Sequence, residues 1–99
     1  MKKLFLLGAL AAVLSLPAQA ALNILATVPE WAALARELGG SRVTVNAATT
    51  GLQDPHRIEA KPSLIAKARA ANLVVATGAE LEIGWLPVVL RESGNRAIQ

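Results

Sequence analysis

Short strand-like runs alternate along this chain with stretches of helical periodicity, and each helical stretch opens on or near a proline. No other feature limits the possible folds as much. Residues 22–27 (Leu-Asn-Ile-Leu-Ala-Thr) form an apolar run too short for a helix and suited to a buried parallel strand. Pro29 then opens a helix in which Trp31, Leu34, Ala35 and Leu38 recur at i, i+3, i+4 and i+7, a single apolar face expected to pack on the core. Gly39 and Gly40 end it. Residues 42–48 alternate, with Val43, Val45 and Ala47 on one side, and read as a second strand. Residues 49–61 are a polar loop whose turn residues are Gly51, Asp54 and Pro55. Pro62 suits the first turn of a second helix, where its missing N–H costs nothing, and Leu64, Ile65 and Ala68 face inward from there. Residues 72–77 are a third strand. Gly78 turns the chain, and residues 84–92 form a third helix with Pro87 in its first turn. Beyond Gly94, residues 96–99 read as the opening of another strand. Trp31 and Trp85 fall at core spacing and are expected to pack inside.

This β-α-β-α-β-α order predicts an α/β fold, a parallel sheet flanked by helices and joined by right-handed crossovers. Ligands of such sheets bind beyond the carboxyl ends of the strands.

The first 20 residues stand apart from this pattern. Lys2 and Lys3 precede an uncharged, mostly apolar run over residues 4–16, and Ala18-Gln19-Ala20 is a small-x-small cleavage box. That is the form of a secretory signal peptide, which places the start of the processed chain at Ala21 and its destination in a Gram-negative periplasm. The apolar run falls short of the roughly 20 residues a membrane span requires. With no cysteine near the box, a lipid-anchored precursor is excluded.

Loss of Lys2 and Lys3 leaves eight basic residues against seven acidic ones, so the working protein is nearly neutral. The cations are scattered and carry no aromatic interleaving, which excludes the basic stripe of a nucleic-acid binder. The absence of cysteine excludes a disulfide framework. Residues 21–99 are few for a stable domain, and they are expected to be the incomplete N-terminal part of something longer.

The chemistry concentrates in the loop around His56, the one histidine of the chain. Imidazole is the commonest protein ligand for borderline metals, and with no cysteine present His56 is the natural first ligand for a transition metal. Zinc requires three or four protein ligands, so these residues do not complete a site. Among the nearby carboxylates, Asp54 is expected to order the turn before Pro55. Glu59 reads as a charge at a helix start, or else as a group that orients the imidazole. Glu80 and Glu82 follow the third strand on the same side of the sheet and are expected in a solvated loop. Thr49-Thr50-Gly51 lacks the glycines and lysine of a phosphate loop. No nucleophile–base arrangement and no working carboxylate pair appears, so nothing points to an enzyme.

The mature chain resembles the periplasmic solute-binding proteins of zinc and manganese ABC importers, most of all the zinc-type members. Ile24-Leu25-Ala26-Thr27-Val28-Pro29-Glu30-Trp31 is similar to the opening strand and helix of that family, and Leu38-Gly39-Gly40-Ser41-Arg42-Val43 to its Gly-Gly turn into the second strand. Asp54-Pro55-His56, with Glu59 and Pro62-Ser63 following, matches its Asp-Pro-His-x-x-Glu-x-x-Pro-Ser signature. Ala71-Asn72-Leu73-Val74-Val75 and Gly78-x-x-Leu81-Glu82 resemble the next strand and loop.

The resemblance implies two α/β lobes with the metal held between them, residues 21–99 forming most of the N-terminal lobe. It implies His56 as the first ligand, further ligands past Gln99, and Zn2+ as cargo with Mn2+ as the alternative. It also implies a monomeric protein that hands its metal to an ABC permease in the inner membrane, without catalysis. At position 57 this chain carries Arg where relatives often have another residue such as His; Arg57 is expected to point away from a bound dication. The competing expectation is a small exported interaction or structural module in which His56 has no metal role.

Overall fold

In the computed structural model, residues 21–98 are described, so the leader expected over residues 1–20 lies outside the described part. Three strands, β1 (Leu22–Ala26), β2 (Val43–Ala47) and β3 (Leu73–Val75), form one parallel sheet in the order β2-β1-β3. The register sets Ile24 of β1 beside Val45 on one side and Leu73 on the other. Three helices connect and follow the strands: α1 (Pro29–Gly39), α2 (Pro62–Ala70) and α3 (Leu86–Ser93).

Each helix starts the same way. The residues before them, Val28, Lys61 and Trp85, make no side-chain cap, and each helix instead carries proline in its first turn. Proline suits that turn because its fixed φ is already helical and it has no N–H to leave unbonded. The ends are marked by residues that leave the helical region. Gly40 stands at φ 53°, a conformation open to glycine and costly for other residues, and Gly94 occupies the left-handed region after α3.

From β1 the chain steps through α1 to β2 on one edge. It then passes back over β1, through a long loop and α2, to β3 on the other edge. The direction of travel therefore reverses at β1, which makes the carboxyl ends of β1 and β3 a topological switch point. Side chains alternate across the strands, and the two faces are covered differently. Leu25 joins Leu64 and Ala68 of α2, Trp85, and Val89 of α3 in the main core. Ile24, Val43, Leu73 and Val75 face α1 across a shallow apolar groove of about 370 Å³.

The second face corrects one sequence expectation. The stripe Trp31, Leu34, Ala35 and Leu38 was expected to pack inside, yet the buried residue of α1 is Ala32, while Leu34 is 48% and Leu38 80% exposed. The small Ala32 lets the helix sit close to the sheet, and the larger residues flank that contact as walls of the open groove. Trp31 is half-buried, with its indole Nε1 donating to Thr77 Oγ1 at 2.8 Å. Trp85, in contrast, is 1% exposed, as its spacing implied.

A second correction concerns the end of the described chain. Residues 96–99 were expected to open a strand, but Arg96–Ile98 form a 3-10 turn. Asn95 is the cause. Its side-chain Nδ2 shares its two hydrogens among the carbonyls of Ala68, Arg69 and Ala71 at 3.0, 3.0 and 2.7 Å, fastening the end of α2. Its Oδ1 accepts from the Ala97 N–H at 3.0 Å, which curls the following backbone.

The unequal coverage of the two faces is measurable. Leu25→Ala is expected to cost about 2–5 kcal/mol in urea unfolding, the usual loss for a buried leucine. Leu38→Ala is expected to change stability by less than about 0.5 kcal/mol. Equal losses at the two positions would show that the outer side of α1 is packed.

Candidate functional site

The loop from β2 to α2 holds the chemistry, and its local sequence dictates its shape. Asp54-Pro55-His56-Arg57 is a β-turn closed by the Arg57 N–H donating to the Asp54 carbonyl at 3.0 Å. Aspartate first and proline second are the residues such a turn favours. The Asp54 side chain then folds forward. Its Oδ1 accepts from the backbone N–H of His56 at 3.0 Å and lies 2.9 Å from the His56 ring Nδ1.

That geometry selects a tautomer. The hydrogen bond from the His56 backbone, followed by the one from its ring, holds the Asp54 carboxyl below the usual carboxylate value. An ionised carboxylate only accepts, so Nδ1 carries a hydrogen and donates it. In the neutral imidazole Nε2 is left with a free lone pair, the ligating form of histidine. A carboxylate on the far nitrogen is how metal-binding histidines are commonly oriented. The His56 side chain is 64% exposed, open to a ligand from solvent.

Two residues after β3 bear on this turn. The buried Trp85 donates its indole N–H to the Pro55 carbonyl at 2.7 Å. Gly84 lies so close that a β-carbon there would stand 3.2 Å from the His56 carbonyl oxygen. His56 therefore stands beside the connection that leaves β3, at the carboxyl-end rim where ligands of such sheets bind.

The same connection holds a buried charge. Glu82 is 4% exposed. Its carboxylate accepts from Thr27 Oγ1 at 2.5 Å, from the Thr77 N–H at 2.6 Å and from the Gly78 N–H at 2.9 Å. Thr27 follows β1 and Thr77 follows β3, so one side chain joins the exits of two strands. Thr49, following β2, adds the third, its hydroxyl donating to the Thr27 carbonyl at 2.8 Å. The loop beyond is strained: Gly78, Ala79 and Glu80 have φ of 78°, 52° and 72°. For Ala79 and Glu80 that conformation costs roughly 1–2 kcal/mol each, and the charged hydrogen bonds of Glu82, roughly 1.5–3 kcal/mol apiece, offset it. Burial pushes the Glu82 carboxyl up, but the bonds from Thr27, Thr77 and Gly78 outweigh it, and the group titrates below the 4.5 of an unstructured glutamate.

The expected site residues thus take different parts. Asp54 orders its turn as expected and also engages the ring. Glu59 is exposed and lines a separate groove with Thr50, Lys61 and Lys67, so the orientation of His56 belongs to Asp54. Glu80 lies in the solvated loop. Glu82 does not; the structure buries it, and the signal available was a lone carboxylate between Leu81 and Ile83, just before a core tryptophan. Arg57 is exposed. Among the described residues no three histidine, cysteine or acidic side chains converge on one point. One imidazole with solvent falls short of the three or four protein ligands that a zinc site takes.

A family model described as ZnuA, zinc-uptake complex component A periplasmic, matches residues 24–99. Among solved structures, the chain is similar to a crystal structure of ZnuA at 28% identity and a TM-score of 0.69, covering 79% of this chain and 31% of that one. It is similar to Zn(II)-bound AdcA from Streptococcus pneumoniae at 22% identity and a TM-score of 0.63, covering 80% and 17%. The periplasmic zinc binding protein TroA from Treponema pallidum aligns at 19% identity and a TM-score of 0.68, covering 80% and 28%. The last two likenesses speak for the fold alone. The chain spans less than a third of the length of each of these structures. A comparison with curated proteins gave no match.

The buried carboxylate sets an acid limit on stability. Because its folded pKa is depressed, the stabilisation from Glu82 is complete above the 4.5 of the unfolded group and is lost as pH falls from there through the folded pKa. Glu82→Gln leaves donors facing an amide, and is expected to cost about 2 kcal/mol at pH 7. The gap between variant and wild type should narrow steadily below about pH 4.5 in urea unfolding series. A gap independent of pH would mean that the charge contributes nothing.

Proposed function

Because the chain belongs to the family of the periplasmic zinc-uptake complex component ZnuA, we propose that it forms most of the N-terminal α/β lobe of a solute-binding protein that captures a divalent transition metal. Zinc is the first choice of cargo and manganese the alternative, to be decided by how rich in carboxylate the remaining ligands are. Residues 1–20 act as a cleaved secretory leader, and the working protein begins at Ala21 in the periplasm. The captured metal passes to an ABC permease in the inner membrane. The role is transport and not catalysis, carried out as a monomer.

His56 is the first metal ligand in this reading, binding through Nε2. Asp54 holds the other ring nitrogen, and Arg57 stays out of the coordination sphere. The remaining ligands come from the part of the solved relatives that this chain does not span. The observation that carries the reading is the solvent-open imidazole tied by its Nδ1 to Asp54, at the rim where α/β sheets bind ligands.

Calorimetric titration of zinc into the full-length protein tests it. Wild type is expected to bind one zinc tightly, and His56→Ala to lose affinity by at least a hundredfold. Asp54→Ala keeps the ligand but frees the ring, with an expected loss of about 10–100-fold. Residues 21–99 alone are expected to bind weakly. Undiminished zinc affinity in His56→Ala would overturn the assignment.

A further inference from the structure

The His56 side chain is 64% exposed, and its one side-chain partner among the described residues, Asp54, is 55% exposed and belongs to the same turn. Asp54 sets the ring relative to the turn, and it does not set the turn relative to the sheet. A metal enclosed by ligands from separate parts of a protein is sensitive to that second placement, since first ligands must be held within about 0.5 Å of the productive geometry.

The anchor comes from the connection after β3. Trp85 is 1% exposed, packed with Leu25, Leu64 and Val89, and its indole N–H donates at 2.7 Å to the carbonyl of Pro55, the peptide immediately before His56. One residue earlier, Gly84 leaves open the space beside the His56 carbonyl, where a β-carbon would stand 3.2 Å from the oxygen. The peptide before the His56 α-carbon is therefore bonded by Trp85, and the carbonyl after it faces the neighbouring Gly84. That segment is itself fastened to the ends of β1 and β3 through Glu82.

We propose that Trp85 and Gly84 are positioning residues for His56: the connection after β3 sets the location of the ligand, and with it the metal affinity, from outside the coordination sphere. This inference rests on the metal-capture reading above. The indole N–H is the specific element, because phenylalanine would fill much of the same core space without it. The glycine matters for its lack of a side chain, because an added methyl would press on the His56 carbonyl at 3.2 Å.

A double-mutant cycle on the full-length protein, read as zinc affinity against a competing chelator, tests the proposal. Trp85→Phe is expected to weaken zinc binding about tenfold, the low end of what displaced supports of a metal ligand cost. In a His56→Ala background the same change is expected to have no further effect, since Trp85 acts only through His56. Gly84→Ala, at an exposed position where the added methyl meets the His56 carbonyl, is expected to behave the same way, and it carries the test if Trp85→Phe does not fold. Wild-type affinity in both variants would overturn the proposal and leave His56 as ligand. Equal losses in the two backgrounds would overturn it also, by showing a general effect on the fold. Wild-type affinity in His56→Ala alone would remove the metal-capture reading and this inference with it.

Discussion

The carboxylate of Glu82 is the interaction on which the rest of the rim depends. An isolated charge inside a small α/β unit would be destabilising, because burial strips its water away. Here every part of it is answered. The Thr27 hydroxyl from the end of β1 and two backbone N–H groups from the end of β3 bind it, and the Thr49 hydroxyl from the end of β2 donates to the carbonyl of the same Thr27. All three strand exits therefore meet at one polar knot. At the opposite end of the sheet, Asn23 and Asn72 make a neutral counterpart. The Asn23 N–H donates to Asn72 Oδ1 at 2.8 Å, and the Asn72 N–H donates to the Asn23 carbonyl at 2.7 Å. A sheet of three short strands has little ladder to hold it, so these end fastenings matter more than they would in a larger one.

The knot also accounts for a backbone that would otherwise be unfavourable. Ala79 and Glu80 occupy the left-handed region with no glycine to relieve them. Such strain persists where the surroundings over-determine it. The consequence lies a few residues on, where the constrained loop delivers Gly84 and Trp85 to the turn of the proposed metal ligand. Strain, buried charge and exposed imidazole form one physical sequence, running from the strand ends out to solvent.

Much of this was readable in the amino acids. The strand–helix alternation and the prolines in each first turn located all six main elements, because those signals are local and do not depend on what packs nearby. The turn at Asp54-Pro55-His56 was readable for the same reason. The failures share a different cause. The apolar stripe on α1 obeys helical periodicity, but periodicity identifies a face and not what covers it, and here small Ala32 makes the contact. The curl at Arg96–Ile98 depends on Asn95 reaching the end of α2, more than twenty residues away in sequence. The burial of Glu82 depends likewise on Thr27, 55 positions earlier. A carboxylate in a loop reads as solvated unless its distant donors are known.

The tether between Asp54 and His56 has one further effect. A histidine on an open loop ordinarily samples several ring orientations, and a cation must wait for the right one and freeze it. With Nδ1 already engaged, part of that rotational freedom is given up during folding, so that binding of a cation at the proposed ligand would carry less entropic cost. An exposed side chain held in this way keeps the accessibility of a surface group while its ring favours one orientation.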